Sequence, residues 1–182
     1  MEKILSLDLS TKRSGWAYYE SPDCKVEYGV IASSSADVEK RIGIMRDGVI
    51  ELLKTHEVKK IIIEEVRPDG YNNHTGKVLT WLQGCIAVAV YEYNKDITID
   101  FIGASSWRSV LGLQGYQIQR EQQKQLDIKY ANELLSISLT SEQDDEADAI
   151  CILYAYIKNN SNIKLPKKQT KLKPIGSDQS AF

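Results

Sequence analysis

The sequence predicts an α/β fold: a five-stranded mixed sheet in the order 3-2-1-4-5, flanked by helices. Three observations predict it. The first third alternates polar and apolar residues over three short runs joined by tight connections, the pattern of an antiparallel meander. The middle holds a continuous apolar run, KKIIIEEV at 59–66, typical of a strand buried on both faces. Helical periodicity separates the third, fourth and fifth strands, which requires right-handed crossovers and parallel partners.

Residues 2–9 form the first strand, with Leu5, Leu7 and Leu9 on one face. The second runs from Gly15 to Glu20, and Ser21-Pro22-Asp23 marks the turn into the third, Lys25 to Ser33. Ser35 or Asp37 caps a helix on which Val38, Ile42, Met45, Val49, Leu52 and Leu53 recur at helical spacing up to about His56. Strand four, 59–66, leads into the loop RPDGYNNHT, 67–75. A helix from Gly76 to Tyr93 carries a broad apolar stripe, and ITIDFI at 97–102 is the fifth strand. Helices near 104–111 and 118–136 follow, and a last one spans Asp144 to Lys158. Three meander strands followed by parallel ones place strand one beside strand four, the ribonuclease H-like arrangement.

The chain has 182 residues, 42% of them apolar, which suits one domain over 1–158. Residues 159–182 read as a basic, disordered tail, with five lysines against one aspartate. That tail is either a solubilising end or a flexible phosphate contact. Since the net charge is only −2, the body is distinctly acidic. An acidic body does not suit a plain DNA-binding surface, but suits a pocket that works with cations in it. No apolar stretch reaches the ~20 residues of a membrane span, and the first residues do not read as a signal peptide. Three scattered cysteines make neither a disulfide framework nor a zinc spacing, so a cytoplasmic location is expected.

The acidic residues carry the chemistry. Asp8 interrupts an apolar strand and Glu64 follows three isoleucines. On parallel neighbouring strands, both would emerge at one C-terminal edge, about 4.8 Å apart across the sheet. In QDDEADAICILYAY, residues 143–156, Asp145 and Asp148 share a helix face, and the apolar residues behind them dock the helix. Each feature alone is ordinary: acids at a helix N-terminus usually complement the dipole. Together they would set four carboxylates at one rim. Repulsion there calls for divalent cations, and oxygen ligands suit magnesium. Two such ions form a clamp for in-line phosphoryl chemistry.

The blocks ILSLDLSTKRSGWAYY, IIIEEV and DDEADAICI, in this order and spacing, resemble the signature blocks of RuvC-type Holliday junction resolvases, most of all the shorter versions carried by bacteriophages. The resemblance covers about residues 2–157. It implies a ribonuclease H-like fold, a homodimer, and paired, near-symmetric nicks across a four-way DNA junction with magnesium or manganese. It places the catalytic carboxylates and metal ligands on Asp8, Glu64, Asp145 and Asp148, with Glu65 and Asp144 as neighbours that could assist. Two departures stand out. Leu9-Ser10 replaces the Pro-Gly that bacterial members carry after the first aspartate. Arg67 stands where they have an aromatic that intrudes at the junction centre, with Tyr71 following in the loop.

A nuclease also needs cations to hold phosphates. Candidates for DNA contact are Lys12, Arg13, Arg67, Lys77, Arg108, Arg120 and Lys124, with Tyr71 and His74 in the loop after strand four. Arg108, beside Trp107 at a possible helix start, is the strongest of these. The Gly76–Tyr93 helix either only covers the sheet or, around Trp81, Leu82 and Cys85, also meets a two-fold mate. Competing functions are a related nuclease acting on other branched DNA or RNA, and a non-catalytic junction-binding protein. An actin-like ATPase or sugar kinase would need a glycine-rich phosphate turn that DLSTKRSG lacks.

Overall fold

The computed structural model describes residues 2–21, 23, 25–66, 73–115 and 118–160. The tail from 161 on, Arg67 and Tyr71 lie outside the described residues. The strands are β1 (Lys3–Asp8), β2 (Arg13–Glu20), β3 (Lys25–Ala32), β4 (Lys60–Glu64) and β5 (Thr98–Ile102). The helices are α1 (Val38–Thr55), α2 (Asn73–Tyr93), α3 (Ala104–Leu111), α4 (Arg120–Leu135) and α5 (Asp144–Asn159), with a 3₁₀ turn at Ser141–Gln143. The sheet order is β3-β2-β1-β4-β5, with β1–β2 and β2–β3 antiparallel and β1–β4 and β4–β5 parallel. The expected topology is therefore the observed one.

Side-chain alternation assigns the two faces of the sheet. On one face Leu5, Leu7, Ile61 and Ile63 pack with Met45, Leu52, Leu82 and Ile86 of α1 and α2. On the other Ile4, Tyr19 and Ile62 pack with Trp107, Ile150 and Leu153 of α3 and α5. This explains the triple isoleucine of β4, in which both faces are covered. β5, at the edge, is more open, with Phe101 exposed.

The second face is lined by small residues where α5 crosses it. Ser6 is fully buried, and its hydroxyl donates to the Ala149 carbonyl at 2.7 Å. Ala17 of β2 and Ala147 and Ala149 of α5 are also fully buried. With no bulky side chain between them, helix and sheet approach closely.

The caps follow local chemistry. Asp37 accepts from the Lys40 backbone N–H and starts α1. Gly112 ends α3 and Ser136 ends α4, both in the left-handed region. Thr140 and Gln143 form a reciprocal capping box before α5. Most expected boundaries shift by a residue or two, and two of the differences have a clear cause. β2 starts at Arg13 because pairing with β1 and β3 continues past Gly15. α2 starts at Asn73, so Gly76 lies inside the helix, where its cost of about 1 kcal/mol is outweighed by the apolar stripe behind it.

Candidate active site

Leu7 pairs with Ile63, so Asp8 and Glu64 follow side by side at the C-terminal edge of β1 and β4. Alternation turns both toward the α5 face, in line with Ile4, Ser6 and Ile62. Asp8 lies opposite Gly15 of β2. A Cβ at Gly15 would sit 1.9 Å from the carbonyl oxygen of Asp145. Only a glycine there lets the first turn of α5 lie against the strand, and that contact brings the acids of α5 over Asp8.

The electrostatics record this convergence. Burial, then the charges of Glu64 and Asp145, hold the Asp8 carboxyl well above its ordinary value. Asp148 is pushed up to about 9, by burial and then by Asp8 and Asp127. Asp145 is raised to about 6, by burial and then by Asp144. The shift on Asp145 is smaller because it is more exposed and has Arg13 and Lys124 nearby.

Several of the acids take a partner of their own. Glu64 accepts from the indole N–H of buried Trp107 at 2.7 Å, and its backbone carbonyl accepts from Gln83 at 2.8 Å. Arg13 reaches Asp145 at 3.0 Å and clasps both oxygens of buried Glu146 at 2.9 and 2.8 Å. Lys124 pairs with Asp144. Arg108 holds Asp127 at 3.0 Å and lies 3.5 Å from Asp148. Among the described residues, no three acidic, histidine or cysteine side chains are drawn together tightly enough to hold a metal ion as they stand. Several of these carboxylates are turned toward a nearby cation or N–H donor instead. One atom escapes this: Oδ1 of Asp148 is buried and has no hydrogen-bond partner. An all-carboxylate donor set with an unpartnered buried oxygen fits a hard divalent cation.

The model of the RuvC family, described as crossover junction endodeoxyribonuclease RuvC, matches residues 4–156. The chain belongs to the RuvC family. It is therefore a crossover junction endodeoxyribonuclease, of a type that depends on divalent metal ions. Solved structures agree on the fold. Thermus thermophilus RuvC in complex with Holliday junction substrate is 15% identical with a TM-score of 0.69, over 88% of this chain and 96% of that one. The yeast mitochondrial Holliday junction resolvase Ydc2 is 15% identical with a TM-score of 0.56, over 88% and 79%. The fowlpox virus resolvase, bound to Holliday junction DNA, is 14% identical with a TM-score of 0.53, over 89% and 99%. No curated protein matches the sequence. Among the described residues no helix is long and apolar enough to cross a membrane.

In this RuvC-family fold the expected DNA contacts fall into two groups. Arg13, Arg108 and Lys124 turn inward onto carboxylates. Lys12, His74, Lys77 and Arg120 are exposed, on the turn after β1, the first turns of α2 and the start of α4. Four residues of the site had gone unnoticed in the sequence: Gly15 as a contact, Trp107 as a donor, Glu146 as the anchor of Arg13, and Asp127. Asp127 did carry a signal, since it falls on the buried stripe of α4 with Ala131 and Leu135, at spacings of four. An acid on an apolar stripe marks a buried charge with a dedicated partner.

Proposed function

We propose that this chain resolves four-way DNA junctions by paired hydrolytic nicks, with Asp8, Glu64, Asp145 and Asp148 as the metal-holding catalytic set. The observation that carries this reading is the contact of α5 with Gly15, which lays two acids over the Asp8–Glu64 edge. Asp8 and Glu64 stand on the sheet, whereas Asp145 and Asp148 come from the helix, so two rigid elements frame the site. Two magnesium or manganese ions bound there would supply an activated water and a charge partner for the leaving 3′ oxygen. The protein's own part is to orient the scissile phosphate and to hold acids whose crowding favours a bound cation. The exposed Lys12, Lys77 and Arg120 are suited to phosphate oxygens along the arms. Incubation with a labelled four-way junction should give matched nicks on two opposing strands with magnesium and none with chelator. Unbranched duplex cut at equal rates would overturn junction selectivity.

The same reading includes a homodimer through α2. Leu82 turns inward and is fully buried, so it does not belong to the outer patch expected around it. The outer face instead shows Trp81, Val88 and Tyr91, each more than half exposed and spaced at seven and three residues along one side. An uncovered apolar stripe on a central helix suits a second copy placed by a two-fold axis. Trp81→Glu should turn a dimer into a monomer in light scattering at micromolar concentration, with an unchanged melting temperature for the monomer unit. A buried interfacial tryptophan is worth about 2 kcal/mol, felt twice across the axis, so the dissociation constant should rise about a thousandfold.

A further inference from the structure

Asp127 is a fully buried carboxylate in the middle of α4, a position that the packing of this helix does not require to be charged. Both of its oxygens are engaged. Oδ1 accepts from the Gln123 amide at 2.9 Å, and Oδ2 accepts from Nε of Arg108 at 3.0 Å, with Nη2 also at 3.0 Å. Arg108 is itself fixed on one side, since its guanidinium lies over the Trp107 ring with the centroid at 4.1 Å. From that fixed place Nη2 reaches Oδ2 of Asp148 only at 3.5 Å, longer than either contact with Asp127. The other oxygen of Asp148, Oδ1, is left buried and unpartnered beside the acids of the sheet.

A guanidinium this close to a cluster of carboxylates would by itself close onto Asp148 as a full ion pair and compete with any divalent cation for it. A carboxylate buried in α4 is costly unless it is paired. The arrangement therefore makes sense as a restraint. We infer that Asp127 is a positioning residue that neutralises Arg108 and holds it back from Asp148, keeping Asp148 available to a divalent cation. Arg108 then steadies one oxygen of Asp148 from a distance, and the free oxygen faces the site. This inference rests on the reading of Asp148 as a metal ligand.

The test measures manganese binding to the full chain by electron paramagnetic resonance, without DNA. Asp127→Asn keeps the shape and the Gln123 partner but releases Arg108. It should weaken manganese binding by about 10- to 100-fold, the usual cost of losing an outer hydrogen-bond partner of a metal ligand. Arg108→Gln combined with Asp127→Asn removes the released charge, and manganese binding should return to near the wild-type value. A double variant as weak as the single one would make Asp127 a merely structural residue and overturn the inference. So would a folded single variant, judged by circular dichroism, that binds manganese like wild type. If the single variant does not fold, the double variant decides alone, with wild-type-like binding supporting the restraint and lost binding refuting it. The underlying reading is checked separately by Asp148→Asn. Unchanged manganese binding in that variant would remove Asp148 from the metal site, whatever Asp127 does.

Discussion

Asp8→Asn should abolish junction cleavage, leave junction binding intact or tighter, and raise the melting temperature of the metal-free protein. The three effects have one cause. Asp8 stands among like charges, with Glu64 beside it on β4 and Asp145 above it on α5. It is raised by burial and by those neighbours, with Arg108 opposing them. An asparagine keeps the shape but removes a charge that would hold an ion at the reacting phosphate. If that ion supplies about 4 kcal/mol of transition-state stabilisation, the rate falls about a thousandfold. The same change relieves a half-buried, poorly compensated acid, worth about 1–3 kcal/mol of stability. For a chain of this size that is about 2–4 °C per kcal/mol. Binding strengthens because a phosphate backbone meets one less negative charge. Labelled junctions in gel-shift and cleavage assays, with a thermal melt in chelator, read all three. Normal cleavage in magnesium would remove Asp8 from the catalytic set, and a lowered melting point would contradict the electrostatic account.

The expected coupling of lost activity to gained stability follows from how the site is built. The fold brings four acids to one rim and supplies only partial compensation, through Arg13, Lys124 and Arg108. Arg13 and Arg108 are each secured by a second, buried acid, Glu146 and Asp127 respectively. The cations are therefore held in place by acids other than those proposed to carry the chemistry. A surface of free lysines could not do this, since a mobile cation would settle wherever the negative potential is deepest.

That design explains what could be read from the sequence. The topology was legible because it depends on periodicity: alternation in β1 to β3, an unbroken apolar run in β4, helical spacing between. The Asp8–Glu64 pair was legible because parallel neighbours carry both residues to one edge. The inward turn of Arg13 and Arg108 was not, because their partners lie far away in sequence. Glu146 is 133 residues from Arg13, and Asp127 sits 19 residues after Arg108 on another helix. An arginine near an acidic site reads from sequence as a phosphate contact, and only packing reveals a buried acid waiting for it. The sequence leaves open which part of α2 faces the sheet, because a helix apolar over more than half its circumference does not declare it; the structure buries Leu82 and exposes Trp81.

Gly15→Ala is the sharpest test that geometry, and not acidity alone, makes the site. The substitution adds one methyl group at a point where β2 comes up against the backbone of α5. That methyl would lie 1.9 Å from the Asp145 carbonyl oxygen and 2.3 Å from its carbon, well inside contact distance. The obstacle is backbone, so no side-chain rotation relieves it. Either β2 sinks, breaking its pairing with Asp8, or the first turn of α5 lifts by about an ångström or more. Overpacking of this kind costs about 1–3 kcal/mol. Because Ser6 and Ala149 pin the next turn of α5 to the sheet, the helix tilts at its N-terminus without detaching. Asp145 and Asp148 then move away from Asp8 and Glu64 although every carboxylate is still present. Displacement on that scale lowers the rate about a hundredfold. Cleavage assays on the folded variant should show the loss, and manganese binding should weaken in parallel. Gly15→Ala with wild-type melting and cleavage would mean that α5 does not rest on β2 at this point, and the four acids would lose the contact that assembles them.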